Sequence, residues 1–206
     1  MNMFASTLYR IMEWITRFAY VQLLWICFTF FGFVILGFFP STAAMFAVVR
    51  DWIRGKTDIR IFKTYWNYFK TDFFKANLFG IPIISITLLI GINVYYIQID
   101  ISEHLTWTYI PLFAFMFLFT LLLFYLFPVF VHYDLKIFKV IKNTFLIMLI
   151  SPIHSLLIVI SLVSLFWLMK SIPALAFIFG GSIYAFITMW LSMHAFRSIE
   201  RKKGSV

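Results

Sequence analysis

Charge is scarce in this sequence. Only 12% of its 206 residues are charged, while 63% are apolar and 22% aromatic, and the mean hydropathy is +0.96. Soluble domains carry roughly 25% charged and about 45–50% apolar residues. So little polar surface cannot coat a globule in water, and the chain is read as an all-α, polytopic membrane protein. Cysteine is nearly absent. Cys27 alone, inside an apolar run, excludes an internal disulfide and a multi-cysteine metal site, and says nothing about redox compartment. It reads as a small membrane-facing thiol. Long hydrophilic segments are missing too: the longest stretch between apolar runs, 50–75, is too short to bury a core of its own. A soluble catalytic domain is therefore excluded.

Catalytic patterns are equally scarce. The sequence has no GxxxxGK[ST] phosphate loop, no GxSxG elbow, no HExxH and no pair of carboxylates within one segment. His132, Asp134 and His194 fall near the ends of apolar runs without metal-ligand spacing, and read as interfacial polar residues. No catalytic, cofactor or metal residue is assigned, no cofactor is expected, and the chain is not expected to be an enzyme. Polar residues deep in apolar runs are default functional candidates, because burying them there is costly. Gln22, Asn93 and His154 are the notable ones, and Asn93 with His154 forms the candidate intramembrane polar site. His154 follows Pro152, which frees a carbonyl near Met148, so His154 or Ser155 could organise a kink. The other readings of His154 are contact with a polar substrate and a proton relay, though no deep carboxylate is there to partner it.

What the sequence has in abundance is apolar runs. A spanning helix needs about 20 mostly apolar residues, and such runs lie at about 18–39, 77–99, 107–131, 144–169 and 172–195. The first is longer than the ~7–15 residues of a signal-peptide core, so it is expected to be retained. Between it and the basic segment lies 41–53, a stretch of about 20 Å as helix. Pro40 is expected to stop the incoming helix, and Ser41 or Thr42 to cap the outgoing one. Ala43, Ala44 and Ala47 give that short helix a face that another helix can approach closely.

Charge sets the orientation. Cytoplasmic loops collect Lys and Arg. Segments 50–75 and 136–142 and the tail hold fourteen of the seventeen basic residues, and the opposite loops offer only Lys170, beside Asp100 and Glu103. If 41–53 merely lies on a surface, Arg10 and Arg17 are outside. If it returns through the membrane, sixteen of seventeen are cytoplasmic, and both termini with them. The return satisfies the rule better. The architecture expected is five full spans, a short returning helix after Pro40, and a cytoplasmic interfacial amphipathic helix.

That interfacial helix is placed at 58–75, with Asp58 as its N-cap. Phe62, Tyr65, Trp66, Phe69, Phe73 and Phe74 recur at helical spacing on one face, and Lys56, Arg60, Lys63, Asn67 and Lys70 on the other. An aromatic face with a basic back describes a helix lying in the headgroup plane. Arg54, Lys56, Arg60, Lys63, Trp66 and Lys70 are the candidate docking residues, for the lipid bilayer or for a cytoplasmic partner. No recognition fold accompanies them, so nucleic acid is not expected. The stretch from His132 repeats the pattern in miniature, with LKIFK at 135–139 echoing IRIFK at 59–63.

Four stretches carry a family resemblance: PSTAAMFAVVRDWIRGK from Pro40, the aromatic-basic segment through Asn77, FPVFVHYD from Phe127, and KNTFLIMLISP ending at Pro152. On these the chain resembles the YesL-like family of bacterial integral membrane proteins, whose molecular function is unknown. The resemblance implies an accessory protein of the bacterial cytoplasmic membrane, associated with carbohydrate (ABC-type) uptake systems and their regulators. It brings no catalytic or ligand residues. The partners expected are a sugar transporter permease or a membrane sensor kinase. The alternatives are a small transporter or channel, as a homo-oligomer, with a site near the Pro40 turn, Asn93 and His154, and a membrane enzyme acting on lipid or isoprenoid substrates.

Overall fold

The computed structural model describes residues 3–99 and 109–204. Among them are seven helices: α1 (Met3–Phe31), α2 (Ile35–Ile53), α3 (Ile61–Ile99), α4 (Tyr109–His132), α5 (Ile137–Ile150), α6 (Pro152–Ser171) and α7 (Pro173–Gly204). Five contain stretches long and apolar enough to cross a membrane: Thr7–Phe31, Ile61–Ile99, Tyr109–His132, Pro152–Ser171 and Pro173–Arg201. Asp100, Glu103 and the first two residues of the expected 107–131 span lie outside the described residues.

The first turn falls at Gly32–Val34, not at Pro40, and two glycines explain why. A Cβ on Gly37 would stand 2.3 Å from the Thr29 carbonyl oxygen, and one on Gly32 would stand 2.3 Å from the Gly37 Cα. Only bare backbone permits this approach, and it lets the chain reverse within three residues. Phe33 (φ 56°) and Val34 (φ 62°) make the reversal in the left-handed region, which costs side-chain-bearing residues roughly 1 kcal/mol or more each. The turn offsets this with bonds from Gly32 N–H to Phe28 (3.1 Å) and from Val34 N–H to Thr29 (2.9 Å). The outgoing helix is thus already formed when the chain reaches Pro40.

Pro40 sits inside α2 because its defect is repaired from another helix. Proline has no N–H to give to the carbonyl four residues back, which is that of Leu36. Asn77 Nδ2 on α3 donates to this oxygen at 3.0 Å, and to its own Phe73 carbonyl at 2.9 Å. Thr42, expected as a cap, instead donates to Phe38 and accepts from Trp25 Nε1 at 3.0 Å. We expect Asn77→Leu to lower stability by about 1–2 kcal/mol, the cost of leaving a carbonyl unmet. Thermal unfolding in detergent reads this out, and no loss would mean water serves that carbonyl as well.

α2 is the core of the bundle. It runs antiparallel to α1: Trp25 on α1 bonds Thr42 early in α2, whereas Trp14 meets Trp52 edge-on near its end at 5.6 Å. Its 19 residues are mostly buried, with Ala43, Ala44 and Ala47 at most 1% exposed where neighbouring helices close in. Phe46 stacks on Phe127 of α4 at 5.4 Å and meets Tyr184 of α7 edge-on. Gln22 is buried, and its Oε1 accepts the Ser182 N–H of α7 at 2.9 Å. The same oxygen lies 3.0 Å from where a Cβ on Gly181 would be, so that glycine is a close-packing point. Cys27 is free and exposed.

Two further boundaries differ from the sequence reading. The expected interfacial helix and the following span are one continuous helix of 39 residues, about 58 Å long at ~1.5 Å per residue, or roughly twice the bilayer core. It begins at Ile61, where Thr64 N–H bonds the Arg60 carbonyl, so Asp58 is not its cap. The run 144–169 is divided at Ser151 into α5 and α6, with Pro152 at the first position of α6, where a missing N–H costs nothing. Ser155, not His154, organises the break: its buried hydroxyl lies 3.2 Å from the Ser151 carbonyl, 3.2 Å from the Tyr125 hydroxyl and 3.4 Å from the Met148 carbonyl. The α6–α7 link is tight, with Ile172 alone between the helices.

Candidate functional site

The strongest grouping of polar side chains lies where the C-terminal ends of α2 and α4 meet the N-terminal half of α3. Arg50 is its centre. Burial at a helix end leaves last-turn carbonyls without partners, and Arg50 Nη1 donates to one of them, that of Val131 at the end of α4. Its Nη2 lies 3.2 Å from Asp51 Oδ1 and 3.0 Å from the Tyr68 hydroxyl, which donates to Asp51 Oδ2 at 2.7 Å. Asp51 is buried, with its side chain 7% exposed, and that of Arg50 is 14% exposed. The three groups form a closed triangle tying α2 to α3 and α4. One turn on, Arg54 Nη2 meets His132 Nδ1 at 3.2 Å.

Beside this triangle opens a cavity of about 450 Å³, lined by Arg50, Asn67, Tyr68, Thr71, Asp72, Lys75, His132 and Asp134, among others. Helical spacing places the α3 members: 67 and 71, 68 and 72, and 72 and 75 are neighbours on one face. Lys75 Nζ binds Asp134 at 2.6 Å and lies 5.6 Å from the Phe130 ring centre. The bonded ammonium holds the exposed Asp134 carboxyl below its ordinary range. Asp72 is half-buried, accepts no hydrogen bond among the described residues, and lies in the electrostatic field of Lys75 and Arg50. No group of three His, Cys, Asp or Glu side chains converges to hold a metal ion among the described residues.

The residues singled out from sequence are distributed differently. Arg54, Lys56, Arg60, Lys63 and Lys70 are all exposed. The aromatic face opposite them is divided: Tyr65 is fully buried and Phe69 is 3% exposed, both packing on Phe28 of α1 at 5.3 and 5.0 Å, whereas Phe62 and Phe74 are exposed. Tyr65 also donates to the Ser41 carbonyl at 2.8 Å. Trp66 is half-buried, 5.4 Å from Phe28, with Lys70 over its ring at 5.5 Å. Asn93 is exposed, and its amide donates to its own Leu89 carbonyl at 2.8 Å. His154 is half-buried on α6. Among the described residues no hydrogen bond joins Asn93 to His154, or either to the Pro40 region. The sequence reading counted Arg50 and Lys75 only as topology charges and passed over Asp51, Tyr68 and Asp72. The i, i+4 step from Tyr68 to Asp72 was the available signal.

Five apolar crossing-length helices around a buried α2, with a polar cleft at one end, define a polytopic helical membrane protein. Its relatives are of one kind. The chain is 35% identical over 198 residues to the uncharacterized protein YteU of Bacillus subtilis (strain 168), covering 95% of this chain and 87% of that one. It is 31% identical to YesL (97% and 94%) and 30% identical to YesV (95% and 94%), both uncharacterized proteins of the same organism. Residues 18–94 match DUF624, described as a protein of unknown function, and the chain belongs to this family. No solved structure matches it.

Proposed function

We propose that the chain is a non-enzymatic accessory protein of the bacterial cytoplasmic membrane, assisting a carbohydrate (ABC-type) uptake system or its membrane regulator. In this reading its termini and basic segments face the cytoplasm, and α2 returns the chain to that side. The observation that supports it most is the state of the amphipathic half of α3. A headgroup-plane anchor needs its aromatic face free for lipid, yet Tyr65 and Phe69 are spent on α1. Lys63 and Lys70 are left exposed on a helix fixed from behind, and Lys56 and Arg60 on the link that precedes it. An exposed cluster of basic residues is suited to steering and registering a partner.

A photoreactive residue at Lys63, activated in native membranes, tests this. The expected product is a crosslink to a transporter permease or a sensor kinase, lost when Lys56, Arg60 and Lys70 are changed to Gln while membrane insertion persists. Arg54 is kept because it meets His132. Capture of lipid alone, or of a second copy alone, would overturn partner docking.

A further inference from the structure

The two faces of α5 meet different surroundings. Val140, Thr144, Ile147 and Met148 recur at helical spacing and are buried against the bundle. The outward face mixes apolar and basic side chains: Phe138 is 81% exposed, and Leu146 and Leu149 are exposed beside Lys136, Lys139 and Lys142. None of these lysines has a hydrogen bond or ion pair among the described residues. No acidic residue lies in 135–150, and Asp134 just before it is bonded to Lys75. The positive charge of α5 is thus left without a bonded counter-ion. Beside it, a groove of about 320 Å³ runs between α3 and α4. Ile83 and Ile86 form one side, Phe119 and Leu122 the other, and Ile141 and Phe145 of α5 complete it. Every side chain lining the groove is apolar. Lys142 follows Ile141 and stands one turn before Phe145, so helical spacing puts a cation at the rim.

We propose that α5 and this groove hold one anionic phospholipid, with an acyl chain between α3 and α4 and the phosphate on Lys142 and Lys139. The groove wall offers no hydrogen bond, so a sugar, nucleotide or free phosphate would be desolvated there without return. An acyl chain gains contact at no such cost. The lysines supply the other half of the match: their stems lie along apolar surface while the ammonium groups reach the headgroup layer. Charge then selects the headgroup, because anionic lipid attracts basic residues near the membrane surface whereas a zwitterionic one brings its own cation. The exposed Phe138 suits the same boundary, where amphipathic helices set apolar side chains among the headgroups. A second copy of the chain is disfavoured, since it would bring a net charge of +9 toward three unpaired lysines. The site shares no residue with the basic cluster at 56–70, so it stands or falls apart from the partner-docking reading.

The test titrates the full chain in detergent with phosphatidylglycerol or phosphatidylcholine of identical acyl chains, and counts bound lipid by native mass spectrometry. The first phosphatidylglycerol is expected to bind at least about tenfold tighter than phosphatidylcholine. Lys139→Gln with Lys142→Gln should bring the two lipids level. Both side chains are exposed and unbonded, so this variant should stay monodisperse and keep the parent unfolding temperature. Lys56→Gln with Lys63→Gln removes the same charge elsewhere and should keep the preference. Ile86→Trp, which fills the groove, should weaken both lipids. Equal binding of the two lipids by the parent, or an unchanged preference in the α5 variant, would overturn the proposal. So would an equal loss in the Lys56 and Lys63 variant, which would reduce the effect to net charge. Unweakened binding in Ile86→Trp would empty the groove of its chain, and a dimer that displaces lipid would give the groove to a second copy; either result overturns the site.

Discussion

Gly37→Ala is expected to prevent α1 and α2 from closing, with a loss of at least about 3 kcal/mol, at or beyond the upper end of ordinary overpacking. The reason is where the methyl would go. It would stand 2.3 Å from the Thr29 carbonyl oxygen, 2.8 Å from that of Phe28 and 2.9 Å from the Thr29 carbonyl carbon. All three are backbone atoms and cannot rotate away as a side-chain tip would. Moving them displaces the N–H bonds that Phe28 and Thr29 accept from Gly32 and Val34, and these bonds hold Phe33 and Val34 at positive φ. The hairpin also carries the Trp25–Thr42 bond and the Trp14–Trp52 contact, so opening it exposes the most buried helix of the bundle. Purified Gly37→Ala in detergent should unfold well below the parent or fail to give a monodisperse species. Gly91→Ala is the control, because a Cβ there meets nothing within 4 Å. A Gly37→Ala protein as stable as Gly91→Ala would show that the turn has slack that these distances deny.

The same turn shows what the sequence made legible. Composition and hydropathy were enough for an all-helical membrane protein, because 20-residue apolar runs report burial in lipid directly. They were enough, too, for a short alanine-faced helix around 41–53, since small residues at helical spacing permit only close packing. Boundaries were harder where one defect is repaired by a distant residue. Pro40 reads locally as a stop, and nothing near it says that Asn77, 37 positions on, will satisfy the Leu36 carbonyl. The true stop, Gly32 with Gly37, carries no charge or proline to mark it. The belt was legible as an amphipathic helix but not in its use. Period and residue type fix which faces are aromatic and basic, while what covers the aromatic face depends on Phe28, a residue of another helix. The polar cleft was the least legible part. Arg50, Asp51, Tyr68, Asp72 and Asp134 come from three segments, and each looks like an ordinary interfacial residue alone.

Removing the Asp51 carboxylate should be the most damaging change of charge in the molecule. Asp51→Ala leaves Arg50, whose side chain is only 14% exposed, with a carbonyl and a phenol but no bonded carboxylate. Breaking one side of a buried pair typically costs about 3–5 kcal/mol, because the surviving charge stays desolvated. The lower end is expected here, since Val131 and Tyr68 still accept from the guanidinium. Tyr68 suffers as well, for its hydroxyl donates to Asp51 Oδ2 at 2.7 Å. Tyr68→Phe removes only that arm and the Arg50 contact, so a loss nearer 1 kcal/mol is expected. The double change Arg50→Met with Asp51→Leu removes both charges together and should cost less than Asp51→Ala alone, apart from the Val131 carbonyl it leaves unmet. Thermal unfolding of the three variants in one detergent gives that order directly. If Asp51→Ala is no worse than Tyr68→Phe, then water reaches Arg50 and the triangle is not what fastens α2 to α3 and α4.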